Sequence, residues 1–199
     1  MPPMDEAVLR GLAKWPNVPD VYGWLAVDAR GQWRLRNPAT GKFERIGNLA
    51  LRECIARNYT HDAHGRWYYQ NGPQRVYARL ECTPLVFRLD GDVVVDHCGR
   101  RAGAPKGAWL DERGALILQI PDGVGVLDDR DLLAASELMV DVRGAPADSV
   151  AEAAFVAFFG ARMPLRRLAS NELAARFHFV PDPRPRAKAA WSRRILDAP

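Results

Sequence analysis

Asp28-Ala29-Arg30-Gly31-Gln32-Trp33 returns 34 residues later as Asp62-Ala63-His64-Gly65-Arg66-Trp67, and Asp111-Glu112-Arg113-Gly114 is a degenerate third copy. β-prone residues flank the phrase: Trp24-Leu25-Ala26-Val27 precedes the first copy, and Trp67-Tyr68-Tyr69 closes the second. Asp tolerates turn conformations and Gly takes positive φ at no steric cost, so Asp-x-x-Gly between such runs predicts a hairpin turn. The two full phrases should be equivalent turns, with Gly31 and Gly65 at positive φ and Trp33 and Trp67 in equivalent packing positions. The phrase describes a scaffold and carries no reaction chemistry.

Working outward, residues 5–13 suit a short helix with Val8, Leu9 and Leu12 on one face. Asn48 can cap a second helix over Leu49–Arg57, with Leu51, Cys54 and Ile55 as its buried side. Val76, Ala78, Leu80 and Cys82 alternate with polar or aromatic neighbours, the period of a half-buried strand. Strands are also expected over 115–120 and 124–127. Two further helices are predicted. One starts near Asp129 and carries Leu132, Leu133 and Leu138; the other runs from Asp148 to Gly160, where Ser149 and Glu152 suggest a capping box. A solenoid is excluded, because the repeat is β-rich and occurs in full only twice. The expectation is an α+β fold: a duplicated β-hairpin/helix motif with antiparallel sheets. An N-terminal half at 1–98 and a C-terminal half at 106–180 flank the Gly/Pro-rich stretch 99–107, and a basic tail occupies 181–199.

The chain has 199 residues, 48% of them hydrophobic and 26% charged, the balance of an ordinary globular protein. Its net charge of +4 is unevenly placed, since Arg184, Arg186, Lys188, Arg193 and Arg194 follow one another with no intervening acid. The rest is near neutral, which leaves nucleic acid or an acidic surface to the tail alone; a solvated tail is the plainer reading. The apolar run Ala153–Phe159 is too short to span a bilayer, which needs about 20 residues. The N-terminus lacks the basic start and apolar run of a secretory signal. Cys54, Cys82 and Cys98 are odd in number and widely spaced, as expected for reduced thiols in the cytoplasm.

Catalytic signatures are scarce. Gly41-Lys42 lacks the upstream glycine and downstream hydroxyl of a phosphate loop, and Asp128 occupies the third glycine's place after Gly123-Val124-Gly125. No serine sits in a Gly-x-Ser-x-Gly elbow. His61, His64, His97 and Cys98 supply metal-ligand types at spacings that match no familiar site, and adjacent strand residues such as His97 and Cys98 point to opposite faces. No cofactor is implied. The remaining candidate is an aromatic and amide-rich hairpin: Trp67, Tyr69, Gln70, Asn71 and Arg75, with Gln74 and Tyr77 beside them. Aromatic faces stack on planar ligands, amides read polar edges and Arg takes phosphate bidentately. The same residues also read as sheet core and turn, and both readings stand at this point.

From Gly23 to Leu89 the chain shows Gly-x-Leu-x-Val, Asp-x-x-Gly-x-Trp, a helix, a second Asp-x-x-Gly-x-Trp-Tyr, then Pro84-Leu85-Val86-Phe87. This pattern resembles uncharacterised bacterial families, domains of unknown function, whose members carry Asp-Gly-x-Trp hairpins around a helix. The resemblance implies tandem variants of one motif, a C-terminal part like a pleckstrin-homology fold, a nucleotide-like ligand between the two parts, and regulation rather than catalysis. The function expected is a cytoplasmic ligand-binding or regulatory module, with Trp67, Tyr69, Gln70, Asn71 and Arg75 as its site and no membrane partner. The alternative is a metal- or Cys/His-dependent enzyme acting on a small molecule through His61, His64, His97 or Cys98.

Overall fold

A computed structural model describes residues 4–91, 93–149, 151–158 and 161–185. Helix α1 (Glu6–Lys14) leads into a six-stranded sheet built from β1 (Val21–Val27), β2 (Trp33–Arg36), β3 (Phe43–Arg45), β4 (Tyr59–His61), β5 (Trp67–Asn71) and β6 (Gln74–Leu80). Its order is β3-β2-β1-β6-β5-β4, and α2 (Leu49–Arg57) links its two hairpin units. Asn48 caps α2 by accepting from the Leu51 amide at 3.0 Å, and Ile55 is the residue it buries.

The second sheet follows in the chain: β7 (Leu85–Asp90), β8 (Val93–Asp96), β9 (Gly107–Leu110), β10 (Leu116–Ile120), β11 (Gly123–Leu127), β12 (Met139–Val140), β13 (Phe155–Phe158) and β14 (Ala161–Arg167). Its order is β12-β13-β14-β9-β10-β11-β7-β8. Short helices α3 (Leu132–Ser136) and α4 (Leu173–Arg176) complete this part. The antiparallel expectation holds within the hairpins but not between all of them: β1·β6, β11·β7 and β14·β9 are parallel. Intervening chain lets non-consecutive strands pair this way. One apolar core joins both sheets, from Leu25, Trp33, Tyr59 and Trp67 to Leu85, Phe87, Trp109 and Ile117.

Asp-x-x-Gly turns occur five times among the described residues, beginning at Asp28, Asp62, Asp96, Asp111 and Asp141. In each, the glycine amide donates to the aspartate carbonyl, and the aspartate amide donates to the carbonyl four residues on. In each, Oδ1 of the aspartate accepts from the amides two and four residues later. The glycines sit at φ between +71° and +89°. The side chain thus replaces ladder bonds that the turning backbone cannot make. Trp33 and Trp67 are both buried, and their rings lie 4.8 and 5.0 Å from the same Tyr59 ring.

The predicted 148–160 helix is replaced by β13, which pairs antiparallel with β14. Ser149 Oγ does accept from the Glu152 amide at 3.4 Å, but the cap serves one turn only. A short apolar run fits strand or helix equally by periodicity, and here cross-strand pairing decides. After α4 the chain returns to the first sheet: the Val180 amide donates to Gly65 O at 3.0 Å and the Leu80 amide to Pro181 O at 2.7 Å. No helix among the described residues is long and apolar enough to cross a membrane. The tail residues Arg186, Lys188, Arg193 and Arg194 lie outside the described residues.

Candidate functional site

The turn at Asp28, the turn at Asp111 and the C-terminal return converge on a cleft of about 500 Å³ between the two sheets. Val126, Leu127, Leu132, Leu173 and Phe179 supply its apolar surface; Arg30, Glu81, Asp111, Arg113, Asp129 and Ser170 supply polar groups. Several of these are committed to one another. Arg30 pairs with Asp129 at 2.8 Å, and Glu81 accepts from the Ala29 amide at 3.2 Å. Glu112, behind the rim, accepts from both the Ser170 amide and its hydroxyl.

Asp111 departs from the pattern of its own repeat. Asp28, Asp62, Asp96 and Asp141 each hold an arginine: Arg34 at 2.8 Å, Arg66 at 2.6 Å, Arg100 at 2.8 Å and Arg143 at 2.9 Å. Among the described residues no arginine pairs with Asp111, whose turn bonds all fall on Oδ1. Arg113 stands where Arg143 stands in the Asp141 turn, yet among the described residues the acid it reaches is Glu112 alone, at 3.7 Å, and it is largely exposed. A carboxylate oxygen and a guanidinium therefore line one cleft with room for a partner each.

The hairpin residues expected to bind a ligand are not brought to one surface. Trp67 and Tyr69 point into the core, 4% and 8% exposed. Tyr69 Oη lies 3.3 Å from Cys54 Sγ and donates to Asn71 Oδ1. Gln70 is buried on the other face, donating to Gly72 O at 2.8 Å, while Asn71 is exposed at the strand end. Arg75 lies over the Tyr68 ring at 5.0 Å. Strand alternation separates these side chains, and none of the five lines the cleft. Sequence reasoning missed Arg30, Asp111 and Arg113. Their signal was present, since Asp111 heads the copy that lacks the tryptophan.

The histidines and cysteines are held by the scaffold. His61 rests on the Trp67 ring at 4.9 Å. His97 and Cys98, expected on a strand, form the interior of the Asp96–Gly99 turn. His97 Nδ1 accepts from the Val86 amide at 3.2 Å, which leaves the proton on Nε2, 3.8 Å from Cys98 Sγ. Burial lowers the His97 pKa to about 4 and pushes the Cys98 thiol well above its usual range. The pair is thus a neutral imidazole and a protonated thiol at neutral pH, not an activated nucleophile. Among the described residues no three His, Cys, Asp or Glu side chains gather as metal ligands.

His97 also fixes a pH response. Its folded pKa, about 4, lies below the unfolded value near 6.5, so in that window only the unfolded chain takes up the proton. Stability contributed by neutral His97 is complete above pH 6.5 and is lost as pH falls towards 4. Denaturant unfolding across this window should show the decline, and His97→Gln should flatten it. An unchanged slope in the variant would assign the response to other groups.

The fold is similar to the crystal structure of a DUF1285 family protein from Silicibacter pomeroyi DSS-3, with a TM-score of 0.50 and 16% identity, covering 81% of this chain and 88% of that one. A DUF1285 family protein from Shewanella baltica OS155 matches with a TM-score of 0.40 and 14% identity, over 55% of this chain and 87% of that one. At such identity the likeness to the first concerns the fold alone. No curated protein matches the chain. A family model does match, over residues 4–184. With nearly the whole chain covered, the protein belongs to the family described as "Protein of unknown function (DUF2946)".

Proposed function

We propose that this chain is a cytoplasmic binding or regulatory module that takes a nucleotide-like small molecule in the cleft between its two halves. One observation carries the reading: of five equivalent turn aspartates, the one lining the cleft lacks an arginine partner. A carboxylate placed this way suits an N–H-rich edge such as a base presents, while the apolar floor suits a planar ring. The cleft's 500 Å³ falls within the range of about 300–1,000 Å³ typical of small-molecule sites. Arg30 and Arg113 face Glu81, Asp111 and Asp129, so the balance opposes a polyphosphate. A nucleoside or monophosphate, its phosphate near Arg113, fits this rim better than a triphosphate. The cytoplasmic placement is supported by Cys54, Cys82 and Cys98, all unpaired.

A thermal-shift panel of nucleosides and nucleotides tests the proposal. A true ligand at 100 times its dissociation constant stabilises by about 2.7 kcal/mol. Asp111→Asn keeps the turn's amide acceptor but removes the charge, and should weaken binding about tenfold or more. Ala174→Trp should fill the cleft and abolish binding. If no compound shifts the melting curve, or if a shift survives both substitutions, the reading fails.

A further inference from the structure

The cleft leaves a second feature of the first sheet unused. With Leu25, Trp33, Ala78 and Leu80 pointing into the core, alternation turns Arg34 and Arg36 of β2 and Arg75 and Arg79 of β6 to the opposite face. Arg36 is paired in register with Phe43 of β3, and Arg34 with Arg45, so both rows continue across the sheet. On this face Tyr22, Arg36, Lys42, Phe43 and Arg79 line a groove of about 640 Å³, bounded by residues 182–185.

The groove's charge is one-sided. Among the described residues its only carboxylate, Asp182, is already paired with Arg184 at 2.5 Å. Arg36 donates to the Gly41 carbonyl at 3.2 Å, and among the described residues no carboxylate pairs with Arg36, Lys42 or Arg79. The turn arginines Arg34 and Arg66 hold Asp28 and Asp62, so pairing is available in this sheet; the groove lacks it. Two aromatic rings stand among these three cations, and Trp24, 44% exposed, lies on the same strand as Tyr22.

We propose that this outer sheet face is a binding site for single-stranded nucleic acid, separate from the cleft and independent of its ligand. Arg36, Lys42 and Arg79 would track phosphodiesters, and Phe43 would receive an unpaired base, with Tyr22, already stacked on Tyr77 at 4.7 Å, adding only its other ring face. A cationic groove interleaved with aromatic faces is the chemistry by which single strands are held without sequence readout. A duplex keeps its bases stacked inside and would leave the rings idle. A lipid surface would meet a concave wall rather than a protruding apolar edge.

The test is fluorescence anisotropy of the full chain with a short labelled single strand of RNA or DNA. Three phosphate contacts should make the affinity fall about 20-fold between roughly 50 and 200 mM salt. The exposed-charge variant R36E/K42E/R79E should lose binding while keeping its melting curve. Phe43→Ala should weaken binding about tenfold with the salt dependence intact, a pattern that bulk charge attraction does not produce. The proposal is overturned if the triple variant binds like the parent, or if removing residues 186–199 alone abolishes binding. It is likewise overturned if a matched duplex or phosphatidylserine vesicles bind as tightly.

Discussion

Asp96→Ala is expected to lower the unfolding free energy by about 3–5 kcal/mol, a large part of the 5–15 kcal/mol usual for a domain. Asp96 is 6% exposed and serves three donors: the Cys98 and Arg100 amides on Oδ1 and Arg100 Nε on Oδ2 at 2.8 Å. Arg100 is itself largely enclosed and also donates to the Tyr59 carbonyl at 3.3 Å. Removing the carboxylate strands a guanidinium away from water as well as two turn amides. Asp141→Ala provides the control. It breaks the same turn, but Arg143 is 84% exposed and returns to solvent, so only the cap is lost, at about 1–2 kcal/mol. Equilibrium denaturation of both variants decides the matter: equal losses would show that burial of the ion pair adds nothing. Adding Arg100→Met to Asp96→Ala should recover part of the loss.

Gly65→Ala should cost about 3 kcal/mol or more, whereas Gly114→Ala should cost about 1–2 kcal/mol. The two glycines hold nearly the same backbone, at φ +71° and +79°, so the conformational penalty is shared. They differ in surroundings. A Cβ on Gly65 would fall 1.9 Å from the His178 carbonyl oxygen, while nothing lies within 4 Å of one on Gly114. A backbone carbonyl cannot swing aside as a side chain does, so the return segment must shift and its bond from Val180 to Gly65 must break. Unfolding midpoints and proteolysis near Phe179 measure both effects. Similar losses at the two glycines would mean the return segment adapts freely.

The hairpins at Asp28, Asp62 and Asp111 were legible because Asp and Gly act locally, through bonds spanning four residues. Two further copies went unread. Asp96-His97-Cys98-Gly99 follows Asp62 at the same 34-residue interval, but without a tryptophan its His-Cys pair drew attention to chemistry instead of to the turn. Asp141-Val142-Arg143-Gly144 lies beside a segment read as helical. The α+β class followed from the periodicities, whereas the parallel pairings depend on contacts between strands far apart in the chain. Local signals do not carry these. The cleft was illegible for a similar reason: Arg30, Asp111 and Phe179 come from three distant segments. The basic groove was partly legible, because the alternation that buries Trp33 also aligns Arg34 and Arg36. Whole-chain net charge concealed it.

The return of residues 180–181 to the first sheet has a consequence for biosynthesis. A chain emerging from the ribosome exposes residues 21–80 long before Val180 and Pro181 exist, and the Gly65 carbonyl and Leu80 amide must then remain hydrated. The first sheet is sealed only by residues translated long after its own strands. Such a long-range closure makes final folding slow to begin and leaves a β-rich intermediate waiting for residues 180–181. Ribosomes stalled before residue 180 should hold a first sheet that proteases still enter near Gly65, and emergence of residues 180–181 should shut it.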